Sequence, residues 1–471
     1  MKKLISVIFF LQFTSYSFCQ VFISCEIKNS PDTGEISVSY YNNILEWEKI
    51  VLAKSKINSQ EKYLLLFKIN KSINAKLLIG NQYTNLFLHP TDSIHITVDF
   101  SKFDETINYS GRGAAENNYL AAELRADFMT KADRYSWFND ADKYKKYVDS
   151  IENLNQEFLK SYNNAGFSED FKSYITTSTK YRFINSRYMF KTIYDDKTKK
   201  FSTRDLAESY FDFLKTLNLN DQQASENVNY NSALGRYLSE FNDHQYKNAP
   251  DSLSEIEKKE WRISINYNFR KTTFKEKVLD FQLTSFMKYT IEYNSASKIF
   301  MDELLKDYKS TCKNEEYISI IEKSYSQAIK MAAGNPAPDF RLINSNGEQV
   351  SLSSFKGKTI YLDFWATWCL PCMISLPDSE NLMKKFKNRK DVVFLFVNVR
   401  DDFESWKKFL REEKRGGVQL FANEVQYTEL SKSYNLNGIP RFVLIDKKGN
   451  FIDDNAARPD KIENELLEAS K

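Results

Sequence analysis

The chain has 471 residues, 42% hydrophobic and 27% charged, with 66 basic residues against 63 acidic ones. That length is too great for one ordinary core, so two or three domains are expected, and the composition is that of a folded globular protein. The near balance of charge gives no basis for a nucleic-acid partner.

Met1-Lys2-Lys3 and the apolar run from Leu4 to Leu11 form the basic and apolar regions of a signal peptide, too short for a stable membrane span. Ser17 and Cys19 supply small residues at −3 and −1, so cleavage is expected after Cys19 and residues 1–19 are assigned to the signal peptide. A lipidated Cys19 is the competing reading, but Tyr16 and Phe18 stand where a lipobox prefers Leu and a small residue. No later segment is apolar enough to span a bilayer. The mature chain is therefore expected in the periplasm or cell envelope, without a transmembrane segment. It would keep Cys25, Cys312, Cys369 and Cys372, too few for a disulfide-held scaffold. No local spacing links Cys25 to Cys312, and their pairing is left open.

Residues 20–112 read as a β-rich domain. Ile23, Cys25 and Ile27 alternate, as do Ile36, Val38 and Tyr40, and Ile94 to Phe100 puts one apolar face against His95, Thr97 and Asp99. Tyr63–Ile69 and Ala75–Ile79 add strands, which suits an antiparallel sandwich or barrel. From 113 to 333 the period turns helical: Tyr144, Tyr147, Val148, Ile151, Leu154 and Phe158 follow a three–four rhythm. Glycine and proline are almost missing there, as in a helical bundle. His244 beside Asp243 is given no function.

The prolines Pro336 and Pro338 stop the helical pattern and open a last domain, 334–471. Ile360 to Trp365 reads as a buried strand, apolar on both faces except for Asp363. Trp368-Cys369-Leu370-Pro371-Cys372 follows directly, and a helix is expected from Met373 to Phe386 with a kink at Pro377. A C-x-x-C pair can close a small disulfide across the first turn of a helix, where free N–H groups and the helix dipole stabilise the first thiolate. Asp363, six residues before Cys369, can lie under the pair and exchange a proton with Cys372 through water. Pro440 stands between a loop and the apolar strand Phe442–Ile445, a candidate cis proline that leaves the Ile439 backbone free for an incoming peptide. A strand at Val392–Val399, helices around Phe403–Arg411 and Tyr427–Tyr434, a strand at Val418–Phe421 and a last helix at Asp460–Ser470 complete the pattern.

These residues carry a resemblance. Pro336-Ala337-Pro338-Asp339-Phe340, Gly357-Lys358, Phe364 to Cys372, Pro377 and Gly438-Ile439-Pro440 are similar to the thioredoxin-fold domain of TlpA-like, redoxin-branch thiol–disulfide oxidoreductases. The resemblance implies a nucleophile at Cys369, a resolving thiol at Cys372, a buried acid at Asp363 and a cis proline at Pro440. Members linked to cytochrome maturation carry an acid three residues past the second cysteine. Ser375 stands there and puts that role in doubt.

Other chemistries fit less well. A zinc site needs four ligands, and no second cysteine pair exists. A haem link needs His where Met373 stands, and the peroxiredoxin pattern needs Pro and Thr where Leu362 and Ala366 stand. No cofactor is implied.

The expected fold is multidomain α+β: an N-terminal antiparallel β domain, a central helical bundle and a C-terminal α/β thioredoxin-like fold. The expected activity is exchange of disulfides in envelope proteins through Cys369 and Cys372, with Asp363 assisting and Trp368, Ile439 and Pro440 contacting substrate. Leu370-Pro371 lacks the histidine of strong oxidants and favours the reductase direction, which implies a membrane electron-relay partner. The alternative is an envelope binding or adaptor protein whose redox domain is subsidiary or inactive.

Overall fold

The computed structural model describes residues 20–31, 33–41, 44–46, 49–57, 61–162, 165–195, 200–246, 249–293 and 296–471. The expected signal peptide and Cys19 lie outside the described residues. The chain forms two compact units, Met1–Ile193 with Thr203–Phe241, and Tyr194–Ser202 with Asn242–Lys471.

The first unit opens with eight strands: β1 (Gln20–Lys28), β2 (Glu35–Tyr41), β3 (Lys49–Lys56), β4 (Lys62–Lys68), β5 (Ile73–Ile79), β6 (Gln82–Leu88), β7 (Ser93–Asp99) and β8 (Asn108–Arg112). They make two four-stranded sheets, ordered β4-β1-β7-β8 and β3-β2-β5-β6. Alternation along β1 buries Val21, Ile23, Cys25 and Ile27 against Leu65 and Phe67 of β4 and Ile94, Ile96 and Val98 of β7. Each such side chain contributes about 1.5–3 kcal/mol on burial. Every strand pair here is antiparallel except β1 and β7, which run parallel with Cys25 opposite Ile96. The helices α1 (Phe103–Thr106), α2 (Ala114–Ala126), α3 (Phe128–Ala132), α4 (Ala141–Lys160) and α5 (Glu169–Met189) follow. An aromatic cluster of Phe87, Tyr119 and Phe171 joins β6 to α2 and α5.

A two-stranded ribbon, β9 (Thr192–Asp195) with β10 (Lys200–Thr203), interrupts the helical stretch. Thr192, Ile193 and Tyr194 are β-branched or aromatic and favour that local conformation. Helix α6 (Val228–Tyr246) follows.

In the second unit, helices α7 (Glu255–Thr273), α8 (Glu276–Tyr293), α9 (Lys298–Thr311) and α10 (Glu315–Lys330) precede a seven-stranded sheet. Its strands are β11 (Arg341–Asn344), β12 (Gln349–Ser351), β13 (Thr359–Trp365), β14 (Val392–Val399), β15 (Val418–Ala422), β16 (Arg441–Ile445) and β17 (Phe451–Asp453), in the order β12-β11-β15-β14-β13-β16-β17. The connections carry α11 (Leu370–Lys385), α12 (Phe403–Glu413) and α13 (Glu424–Ser433), and α14 (Glu463–Ala469) ends the chain. Central β13 is buried along its whole length, parallel to β14 and antiparallel to β16. One face packs Ile360, Leu362 and Phe364 into a cluster with Val397 and Tyr434. The other packs Tyr361 and Trp365 with Phe396, Phe442 and both cysteines of the C-x-x-C pair. This mixed sheet with helical crossovers is a thioredoxin-like α/β arrangement.

Candidate active site

Strand β13 delivers the chain from the sheet interior to Ala366, and a short loop carries it into α11. Cys369 is the N-cap of that helix, and its Sγ accepts the backbone N–H of Cys372 at 3.2 Å. Pro371 in the first helical turn costs nothing, because its missing N–H would have had no intrahelical partner. Cys369 and Cys372 are joined in a disulfide with an S–S distance of 2.01 Å, and both are buried. The helix runs on through Pro377.

The Ile439–Pro440 peptide bond is cis, and the Ile439 carbonyl oxygen lies 3.6 Å from the Cys369 sulfur. Ile439, Pro440 and the disulfide thus meet at one place. Trp368 lies at the rim, 56% exposed, with its Nε1 donating to the Arg400 carbonyl at 2.9 Å. The Arg400 guanidinium sits 5.8 Å from the Trp368 ring centre and 5.5 Å from that of Tyr427.

Asp363 is buried and shares its face of β13 with Tyr361 and Trp365, the face that packs on the cysteines. Its cross-strand neighbours are Phe396 and Phe442. Burial in this aromatic setting pushes its carboxyl up to about 8, against the opposing pull of Arg415 and Arg458. A group tuned near an ordinary thiol pKa of about 8.5 is suited to trading a proton with a cysteine near neutrality.

Several residues that shape this place carry no local sequence motif. Asp401 holds the loop before Cys369: its carboxylate accepts from the Thr367 N–H at 2.7 Å, the Thr367 hydroxyl at 2.8 Å and the Asn398 amide at 2.8 Å. Buried Arg415 forms an ion pair with Glu380 on α11, and its charge acts on Asp363. Ser375 donates to the Pro371 carbonyl at 3.1 Å and receives Arg458 at 3.4 Å. Where an acid would sit in cytochrome-maturation relatives, this chain therefore has a hydroxyl next to a cation. The remaining described cysteines, Cys25 and Cys312, are free and buried. Burial pushes the Cys25 thiol up to about 12 and raises that of Cys312.

Chemically, a sulfur at a helix N-terminus beside an open backbone carbonyl can attack a disulfide held against that carbonyl. The second sulfur, one turn along, can displace the product.

The chain is similar to several known proteins. Residues 332–468 match the Redoxin family. The thiol-disulfide oxidoreductase ResA of Geobacillus kaustophilus is 32% identical over 131 residues, 28% of this chain and 73% of the relative. The thioredoxin-like protein YneN of Bacillus subtilis is 33% identical over 136 residues, covering 27% of this chain and 74% of the relative. A solved thioredoxin domain of a thiol-disulfide oxidoreductase from Bacteroides vulgatus is 28% identical, covering 30% of this chain and 99% of its own, with a TM-score of 0.28. Because the ResA likeness exceeds 30% identity and extends across nearly three quarters of that relative, this chain belongs to the thiol–disulfide oxidoreductases, with a redoxin domain of the TlpA-like kind at its C-terminal end.

Proposed function

We propose that this protein is exported and reduces or exchanges disulfides of envelope proteins through Cys369 and Cys372. The observation that carries the reading is the N-cap placement of Cys369 with its sulfur 3.6 Å from the Ile439 carbonyl.

In the reductive direction, the Cys369 thiolate attacks one sulfur of the substrate disulfide. The substrate S–S bond breaks, a mixed disulfide forms, and the departing sulfur leaves as a thiolate that takes up a proton. In the share of molecules in which Asp363, tuned to about 8, is ionised, Cys372 gives its proton to that carboxylate and attacks the Cys369 sulfur. The mixed disulfide breaks, the second substrate sulfur leaves as a thiolate that takes up the proton held by Asp363, and the Cys369–Cys372 disulfide closes. Two electrons have passed to the substrate, so a membrane electron-relay protein with a dithiol must restore the reduced pair. Trp368, Ile439 and Pro440 contact the substrate, with Ile439 offering its backbone to an extended segment.

The redox chemistry is assigned to a domain over 334–471, preceded by a signal peptide over 1–19, a β domain over 20–112 and a helical domain over 113–333. Export to the periplasm or envelope rests on the basic and apolar runs at the N-terminus. Among the described residues no helix is long and apolar enough to cross a membrane.

The test is reduction of insulin disulfides by the full chain and by Cys369→Ser. Unchanged turnover in the variant would remove this reading. Capture of mixed disulfides by Cys372→Ser in the exported compartment identifies the substrates.

A further inference from the structure

Arg441 immediately follows Pro440, yet it is only 6% exposed. Its backbone lies in the ladder opposite Phe364 of β13, the strand that leads to Cys369. A buried guanidinium is costly unless its charge and donors are matched, so its partners matter. It donates through Nη2 to Asp454 Oδ2 at 3.1 Å and through Nη1 to Asn455 Oδ1 at 3.0 Å, both just beyond β17. Nη1 also reaches the backbone carbonyl of Glu292 at 3.3 Å. Asn455 in turn donates to the carbonyl of Tyr293 at 3.4 Å.

Glu292 and Tyr293 are the last two residues of α8. Carbonyls in a final helical turn have no intrahelical partner, and that end of a helix carries the negative pole of its dipole. Arg441 and Asn455 satisfy two of these carbonyls, and the cation complements the dipole. Glu292, Tyr293, Asp454 and Asn455 also line a cavity of about 420 Å³, shared with Tyr325 and Ile329 of α10. Beside that cavity, polar contacts that converge on one guanidinium join the α8 end to the redox sheet.

We propose that Arg441 is a positioning residue: it fixes the Ile439–Pro440 loop to the C-terminal end of α8 and so keeps that loop in the conformation that binds a substrate segment. The inference rests on the reading that this loop holds substrate. It gives the α7–α10 segment a part in the reaction, that of a brace for the substrate-binding loop. Arg441 itself touches neither sulfur.

The full chain is compared with Arg441→Gln and Asn455→Ala in steady-state reduction of insulin disulfides with dithiothreitol as the electron donor, and in alkylation of reduced Cys369 by iodoacetamide across pH. Arg441→Gln is expected to raise KM roughly tenfold, because a loop that is no longer braced binds substrate more weakly. Its kcat and its alkylation profile should stay within about twofold of wild type, since binding geometry and thiolate chemistry separate in this way. Asn455→Ala, which removes one Arg441 contact and the Tyr293 contact, is expected to raise KM by about threefold; it carries the test if Arg441→Gln does not fold. An unchanged KM in a folded variant overturns the proposal, and so does a shifted alkylation profile, which would mean action on the thiol. A wild-type chain that leaves insulin intact removes the underlying reading together with this one. An active wild type with unchanged KM in both variants removes this one alone.

Discussion

The Cys369 sulfur and the Ile439 carbonyl oxygen lie 3.6 Å apart, although 70 residues separate them in the chain. One comes from the start of α11 and the other from the loop before β16, on neighbouring strands of a single sheet. A disulfide-bearing segment that bonded to Ile439 would bring its sulfur to Cys369 by the same contact. Both positions flank the paired strands β13 and β16, whose register brings the two chain segments together.

Exchange of the two cysteines for serine should separate attack from resolution. Cys369→Ser is expected to abolish insulin reduction, whereas Cys372→Ser should accumulate a mixed disulfide. Non-reducing electrophoresis and intact mass decide the matter: covalent adducts on Cys369→Ser and none on Cys372→Ser would reverse the assigned roles.

Asp363→Asn should slow resolution by about 10²-fold, the low end of what a positioned acid–base group supplies, and leave the first attack nearly unchanged. Stopped-flow traces of the mixed disulfide measure both steps. Equal slowing would count against the proton-transfer role.

The same carboxyl governs a pH dependence of stability. Its folded value, about 8, lies above the ordinary carboxylate value, so between about pH 4 and 8 the folded state holds a proton that the unfolded chain has lost. Stability of the oxidised protein should fall as pH rises through that window and level off above it. Asp363→Asn should flatten this part of the profile in denaturant titrations; an unaltered slope would show that Asp363 ionises at an ordinary pH.

Asp401→Ala removes three hydrogen bonds and strands the buried Asn398 amide, at a cost of about 2–3 kcal/mol. Chemical denaturation should show that loss. Trp368 fluorescence should also change, because the loop before Cys369 is no longer clamped. No change in either would mean that the loop holds its shape without Asp401.

Maleimide titration of the reduced native protein should label Cys369 before any other described cysteine, with Cys25 and Cys312 silent until denaturation. Native labelling of Cys25 would contradict its burial in the sheet core.

Legibility followed locality. Strands β13, β14 and β16 are covered on both sides and read as apolar runs interrupted inside only by Asp363 and Asn398. The C-x-x-C pair, the isolated acid in β13 and the proline before β16 are likewise visible in short windows. Strands β3, β6 and β8 and the β9–β10 ribbon left little trace. No residue of β3 is fully buried, and β6 buries Thr84, Leu86, Phe87 and Leu88 with no alternation at its end. The parallel pairing of β1 with β7 could not be read either, since direction depends on the path of the intervening chain. Within the site, Asp401, Arg415 and Arg441 were illegible for one reason: they act on groups 34, 35 and 149 residues away. Spacing carries no information over such distances, and only the folded sheet brings the partners together.

The seclusion of Cys25 and Cys312 has a consequence for the fate of electrons. A dithiol that swaps partners readily would, beside accessible thiols of its own chain, be consumed in internal scrambling. Among the described residues both bystander sulfurs are buried, Cys25 in the sheet core and Cys312 beside the Asn314 carbonyl, so neither is offered to the pair at α11 and exchange there is turned toward other molecules. Burial of two residues that take no part in catalysis thus keeps the traffic outward and one centre in charge of it.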